Sequence, residues 1–521
     1  MVANGRVAAL IDDRTDVVWL GLPDLAAPPW LDGLLDPEGG GRCGFDVEGH
    51  AGWQVRAAPP VLRTRIYVTD GVAEVIDHAP PGAAALVRDV RIEQDTPSLR
   101  LRLVAEAAGR CTVSGPGRDD LLAGTPLRGD VRVVLHAPEQ SPELPGPEAA
   151  QQDHADWIRP LRVPRRWREA CEHALWAVRS CCLDETGAIV AALTTSIPEA
   201  PDSGRCWDYR YSWLRDAWFA HRELVALGET RCAGGWRRWL RTLLAGGTDL
   251  QPLYGVRHER ELTESINERL RGYRGMGPVR WGNAAWHQVQ HDVWANVILA
   301  LEQGELDEPT LEQLEVLGEH AWRAWDRPDA GMWELRGIAH VHTVSAAFCQ
   351  AALAGLARLR GGRWAERAEQ VRARTLERAW NAELGGLSAT FEAPVVDAGL
   401  LLLPGLGLIE ARDPRFTATL DLVLERLGWG PHLKRYDMVD DFGEMEVAFT
   451  ICGFWAVEAL ALAGRVEEAV ERFEALLACR NRFGLYAEDL DPATGEHWGN
   501  FPQLYSHVGV LRCARLLSGA F

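Results

Sequence analysis

Asp292-Val293-Trp294-Ala295-Asn296-Val297-Ile298-Leu299-Ala300-Leu301 is the stretch from which the fold class is read first. With Val289 just ahead of it, Val293, Val297 and Leu301 recur every fourth position, the spacing of one face of an α-helix. The same periodicity appears upstream in Cys171, Leu175, Val178 and Cys182, and downstream in Val470, Phe473 and Leu477. Residues 164–521 are therefore expected to be helical, with long loops rich in Trp, Gly, Arg and acidic residues between the helices. No short tandem repeat is present, so the helices suit either a solenoid or a closed ring of helix pairs. Loops gathered at one end of a ring would form a pocket, where functional groups concentrate.

Outward from this region the period changes. Leu99-Arg100-Leu101-Arg102-Leu103 and Val131-Arg132-Val133 alternate with the period of a strand. Asp16-Val17-Val18-Trp19-Leu20 and Arg65-Ile66-Tyr67-Val68 are strand-like runs, set apart by Gly39-Gly40-Gly41 and Pro80-Pro81-Gly82. Residues 1–138 are expected to form an antiparallel β-sandwich. Residues 139–163 are expected to be a linker, because Ser141-Pro142-Glu143-Leu144-Pro145-Gly146-Pro147 sustains neither a helix nor a central strand.

Composition narrows the function classes. The chain has 521 residues, 47% apolar and 25% charged, with a formal charge of −19. That charge argues against a nucleic-acid partner or an anionic membrane surface. The 11 cysteines are odd in number and form no CxxC pair, so buried thiols in a reducing cytoplasm are expected rather than a disulfide framework or a zinc site. Asp12, Asp13 and Arg14 interrupt any apolar run near the start, and no signal peptide is expected. No run approaches the roughly 20 apolar residues of a membrane span. The oligomeric state is left open, homo-oligomers included.

Four loop segments concentrate rings, carboxylates and guanidinium groups. The first is Trp207-Asp208-Tyr209-Arg210-Tyr211-Ser212-Trp213-Leu214-Arg215-Asp216. Such groups bind sugar hydroxyls through charge-assisted hydrogen bonds, or form structural ion pairs at a helix start. The second runs from Gly272-Tyr273-Arg274-Gly275 to Trp281-Gly282-Asn283-Ala284-Ala285 and on to Gln288, Gln290 and Asp292. Here Gly282-Asn283 reads as a turn into a helix on which Gln288 and Asp292 share a face. The third is Gly331-Met332-Trp333-Glu334-Leu335-Arg336-Gly337. A carboxyl beside an indole suits a general acid, and Arg336 is the nearby cation that would oppose a raised pKa. The fourth is Gly484-Leu485-Tyr486-Ala487-Glu488-Asp489-Leu490-Asp491, followed by Gly499-Asn500-Phe501-Pro502-Gln503. Its acidic spacing is not that of a calcium loop, and neither a metal nor an organic cofactor is expected. No P-loop, dinucleotide fingerprint, HExxH helix or GxSxG elbow is found. Carboxylates among aromatics and arginines suit glycoside hydrolysis.

These segments, in their order, resemble glycoside hydrolase family 15, which comprises glucoamylases, glucodextranases and some microbial trehalases. The likeness starts at Asn4-Gly5-Arg6-Val7-Ala8-Ala9-Leu10-Ile11-Asp12 and Leu35-Asp36-Pro37-Glu38-Gly39-Gly40, similar to the family's bacterial N-terminal domain. It continues through WLRD (213–216), GYRG, WGNAA, WELRG (333–337) and GNFPQ (499–503). The resemblance implies a β-sandwich followed by an (α/α)6 barrel, and hydrolysis with inversion that frees glucose from a non-reducing end. It implies Glu334 as general acid and Glu488 as general base, the two about 6.5–9.5 Å apart. It implies sugar contacts from Tyr209, Trp213, Arg215, Asp216, Trp281, Trp333, Arg336 and Arg435. Two features depart from the pattern. Leu335 stands where fungal glucoamylases carry a second acidic residue, and Gly443-Glu444-Met445-Glu446-Val447-Ala448-Phe449 is less Gly-rich than in bacterial members. Linkage and chain length stay open among trehalose, maltose and short malto- or isomalto-oligosaccharides. A glycoside phosphorylase and a non-catalytic sugar sensor are the competing classes.

Overall fold

The computed structural model describes residues 1–47, 52–69, 71–95, 99–103, 111–444 and 446–519. Met445, in the segment that departs from the family pattern, lies outside the described residues. The chain divides into two compact units.

The first unit comprises residues 1–161, 179–185 and 266–279. Among the described residues it holds two six-stranded sheets. One is built from β1 (Val2–Ala3), β2 (Ala8–Ile11), β3 (Val17–Gly21), β4 (Pro29–Leu31), β5 (Cys43–Val47) and β10 (Leu99–Leu103). The other is β6 (Gly52–Ala58), β7 (Val61–Val68), β8 (Gly71–His78), β9 (Ala85–Asp95), β11 (Cys111–Ser114) and β12 (Val131–His136). The strand pairs in both are antiparallel. Val17 and Leu20 of one sheet share a buried cluster with Leu62, Leu86 and Leu135 of the other, as the alternating pattern requires. Arg88 is fully buried on β9, and its charge is met by Asp77 Oδ1 at 2.6 Å and the Cys43 carbonyl at 2.8 Å. Beyond the short helix α1 (Arg118–Ala123), the expected linker contains helix α2 (Pro147–Ile158). Pro147 starts it, where a missing N–H costs nothing, and Pro147, Ala150 and Trp157 are buried.

The second unit, residues 162–178, 186–265 and 280–521, is helical. Its helices are α3 (Arg168–Ser180), α4 (Leu214–Ala226), α5 (Arg231–Ala245), α6 (Val293–Leu301), α7 (Glu308–Ala324), α8 (Thr343–Arg360), α9 (Arg363–Ala379), α10 (Pro414–Leu427), α11 (Thr450–Ala463), α12 (Val466–Ala478) and α13 (Leu504–Gly519). A 3-10 turn spans Ala398–Leu402. The packing closes on itself: α4 lies on α6, α6 on α8, α8 on the 3-10 turn, the turn on α11, α11 on α13, and α13 on α4. Helices α5, α7, α9, α10 and α12 pack outside these six. Enclosure explains why Thr450 to Leu460 of α11 are all buried. The four-residue period at α6 holds from Val293 onward. Val289 is 60% exposed, because the helix starts only at Val293. All 11 cysteines are free thiols, nine of them buried. Among the described residues no helix is long and apolar enough to cross a membrane.

Candidate active site

The N-terminal ends of the six inner segments carry the chemistry-bearing loops. Ser212–Trp213 pairs with Leu253–Tyr254, and Trp213 caps α4, so Arg215 and Asp216 fall in the first helical turn. Both are buried. Arg215 donates from Nη1 to Gln290 Oε1 at 2.8 Å and Asp292 Oδ2 at 3.0 Å, and from Nη2 to Glu334 Oε1 at 3.0 Å. Burial opposes its charge, but Asp292, Tyr505 and Glu334 hold its pKa well above the ordinary value. Burial pushes the Asp216 carboxyl up to about 7 against the pull of Arg215.

Glu334 has φ +59, rare for a residue with a side chain and costing about 1–2 kcal/mol. The conformation is held by Glu334 N donating to the Gly331 carbonyl at 3.2 Å and by Gln288 Nε2 donating to the Glu334 carbonyl at 3.1 Å. Glu334 Oε1 accepts from Trp213 Nε1 at 2.6 Å as well as from Arg215. The cation at Glu334 is therefore Arg215, 119 residues away in sequence, and not Arg336. Arg336 instead makes a two-pronged pair with Glu264, at 3.1 and 2.7 Å, and stacks 4.2 Å from the Trp207 ring. Gln288 and Asp292 do not share a helix face either. A 3-10 turn, Ala284–His287, ends at Gln288, and α6 begins after Asp292. They are linked through Gln290, which donates to Gln288 Oε1 at 3.0 Å and accepts from Arg215.

Glu488 sits where a three-stranded ladder fixes the backbone. Asp489 pairs with both Phe449 and Trp498, and Thr450 N donates to the Glu488 carbonyl at 3.0 Å. The side chain is buried. Its Oε1 accepts from Tyr209 OH at 2.7 Å and from Arg435 Nη2 at 3.2 Å. The same Arg435 nitrogen lies 3.3 Å from Asp489 Oδ2 and 3.1 Å from Glu199 Oε2. Burial raises the pKa of Glu488, Glu199 adds to the rise, and Arg435 opposes it.

Two cavities meet at this site. The inner one is lined by Tyr209, Trp213, Arg215, Asp216, Trp333, Glu334, Arg435, Glu488, Gln503 and Tyr505 among others. The outer one shares Tyr209, Trp333, Glu334 and Arg435 and adds Glu199, Trp207, Leu335, Arg336, Asp440 and Phe442. Trp333 is oriented by its Nε1 donating to Asp397 Oδ2 at 3.1 Å. The outer wall is pinned by Arg205, whose Nη1 and Nη2 donate to Asp440 at 2.7 and 2.5 Å, while Tyr436 OH donates to the same carboxylate.

Nine of the ten sequence-derived candidates line one cavity or the other. Trp281 lines neither, although its neighbour Asn283 lines the outer one. Glu199, Asp397 and Asp440 were not singled out from the sequence. Glu199 stands alone between Pro198 and Pro201 with no local pattern to mark it.

The profile of glycosyl hydrolases family 15 matches residues 178–515. A trehalase of Mycolicibacterium smegmatis is 34% identical over 365 residues, which are 66% of this chain and 54% of that protein. The chain spans about half the length of the mycobacterial relatives it matches. Trehalase 1 of Sulfolobus acidocaldarius is 26% identical over 554 residues, covering 99% of this chain and 98% of that one. Among solved structures, a bacterial glucoamylase complexed with acarbose superposes with a TM-score of 0.68 at 12% identity, covering 100% of this chain and 95% of the other.

Proposed function

The chain belongs to glycosyl hydrolases family 15, and we propose that it is an inverting, exo-acting α-glucoside hydrolase that releases β-D-glucose, with trehalose as its preferred substrate. The observation that carries this reading is that Glu334 and Glu488 line one cavity with separate partner sets. Trp213 and Arg215 occupy Oε1 of Glu334, which leaves Oε2 to carry the proton delivered to the glycosidic oxygen. Tyr209 and Arg435 orient Glu488, which takes a proton from the attacking water. Water oxygen then bonds to the anomeric carbon as the bond to the leaving oxygen breaks, inverting that centre. In this reading Arg215 and Asp216, which line the same cavity, hold hydroxyls of the terminal glucose. The closed sequence of inner helix contacts supports the (α/α)6 barrel that the family resemblance implies.

The preference for trehalose rests on the trehalase relatives and on the pinned outer wall, which limits what can extend beyond the cleaved bond. Proton NMR of freshly formed products tests both levels. Inversion of trehalose yields one β- and one α-glucose per turnover, because only one anomeric carbon is attacked. Two α-glucoses would refute inversion. A panel with maltose, isomaltose and maltotriose tests the preference, and faster turnover of any of them would refute it. Formation of glucose-1-phosphate in phosphate buffer would show a phosphorylase, and sugar binding without release a sensor. Glu334→Gln and Glu488→Gln should each lower turnover by at least about 100-fold, and full activity in either removes its role.

A further inference from the structure

We propose that Glu199 is a positioning residue for the base: acting through Arg435 and through space, it sets the pH at which Glu488 becomes competent to accept a proton. This rests on the reading of Glu488 as the general base.

Glu199 is 1% exposed, which is costly for a carboxylate unless it is bound. Its Oε1 accepts from Trp207 Nε1 at 2.9 Å. Its Oε2 lies 3.1 Å from Arg435 Nη2. That nitrogen also serves Glu488 and Asp489. Oxygens of the three buried carboxylates lie within 4.8 Å of one another.

The groups facing Glu488 are thus Glu199, Asp489, the Arg435 guanidinium, the Tyr209 hydroxyl and the Asn500 N–H. Arg205 is the next cation, and Asp440 engages both of its terminal nitrogens. Three carboxylates share one guanidinium, so full ionisation would leave two uncompensated negative charges out of water. Carboxylates this close to Glu488 disfavour its charged form. Burial and Glu199 both raise the pKa of Glu488.

The test is the pH profile of kcat/KM for Glu199→Gln, which removes the charge and keeps the shape. Glu488 must be ionised to act, so a raised base pKa places the acid limb at higher pH. Glu199→Gln is expected to move that limb toward acid by about one pH unit or more, with the plateau rate within about tenfold of wild type. Glu199→Asp restores the charge and should return the limb toward its wild-type position. An unmoved limb, or a loss of equal size at every pH, would reduce Glu199 to a structural anchor and overturn the proposal. Should Glu199→Gln fail to fold, carboxyl carbon NMR of the intact wild-type chain decides. The Glu488 carboxyl, identified by its loss in Glu488→Gln, supports the proposal if its titration is mirrored by a second glutamate carboxyl, and a single independent titration step refutes it. Full activity of Glu488→Gln would instead refute the role of the base itself, so the two failures are separable.

Discussion

Replacing Gly499 by alanine places one methyl group against Glu488, the proposed base. Gly499 has φ +74, and a Cβ built there would lie 2.6 Å from Glu488 Cβ and 2.7 Å from its Oε2. Carbon atoms pack at about 3.5–4.0 Å, so Glu488 must retreat by about 1 Å. The obvious relief, moving residue 499, is resisted because its N–H donates to the Pro198 carbonyl at 2.7 Å and Trp498 is paired with Asp489. Left-handed backbone costs alanine about 1–2 kcal/mol, and overpacking adds about 1–3 kcal/mol. A reacting group misplaced by 1 Å loses about 100-fold in rate. The expectation is a kcat about 100-fold lower and an unfolding free energy lower by about 3 kcal/mol. KM should change little, because Arg215 and Asp216 are untouched. Glucose release under saturating trehalose and urea unfolding measure the two effects. Wild-type kcat together with wild-type stability would show that Glu488 is not held by this close approach.

Trp213→Phe keeps a ring but removes the 2.6 Å donor to Glu334 Oε1. Steady-state kinetics should show kcat/KM falling about 10- to 100-fold, since a hydrogen bond to the carboxylate that forms as the proton leaves is worth about 1.5–3 kcal/mol; an unchanged value contradicts the orienting role. Asp440→Asn unlatches Arg205 and should raise the rate on maltotriose relative to trehalose by about tenfold, or about 1.4 kcal/mol. A constant ratio would mean that this wall does not select chain length. Asp329 is buried, and desolvation pushes its carboxyl up to about 7. Its folded pKa exceeds the unfolded value of about 3.9, so the stability it contributes is full below that value and is lost as pH rises through about 7. Between pH 5 and 7 the gap between wild type and Asp329→Asn should therefore close by about 1.4 kcal/mol per pH unit; urea unfolding with a pH-independent gap would refute it.

Helices with one face in water could be read from the sequence, and helices enclosed on all sides could not. The apolar stripe of α3 is plain because Cys171, Leu175 and Val178 are buried while Arg168 and Glu172 are not. Helix α11 has no polar face to set the phase, since its neighbours cover it all round. At Val289 the period runs one turn past the helix start, because an apolar residue in an exposed loop looks the same in sequence as one in a helix. Within the site, motif order selected Glu334 and Glu488, and adjacency in sequence wrongly suggested Arg336 as the cation beside Glu334.

What the sequence by itself determined is local: which residues can carry protons and bind hydroxyls, which segments are strand or helix, and which family pattern their order matches. What only the tertiary structure decided is which groups meet. Tyr209 reaches Glu488 across 279 residues of chain, and Trp213 reaches Glu334 across 121. Glu199 reaches Glu488 through Arg435, a link beyond any local pattern. The physical reason is range. Periodicity and capping are fixed by neighbours a few residues away, whereas the charge on a buried carboxylate depends on every group within a few ångströms of it, wherever the fold has brought that group from.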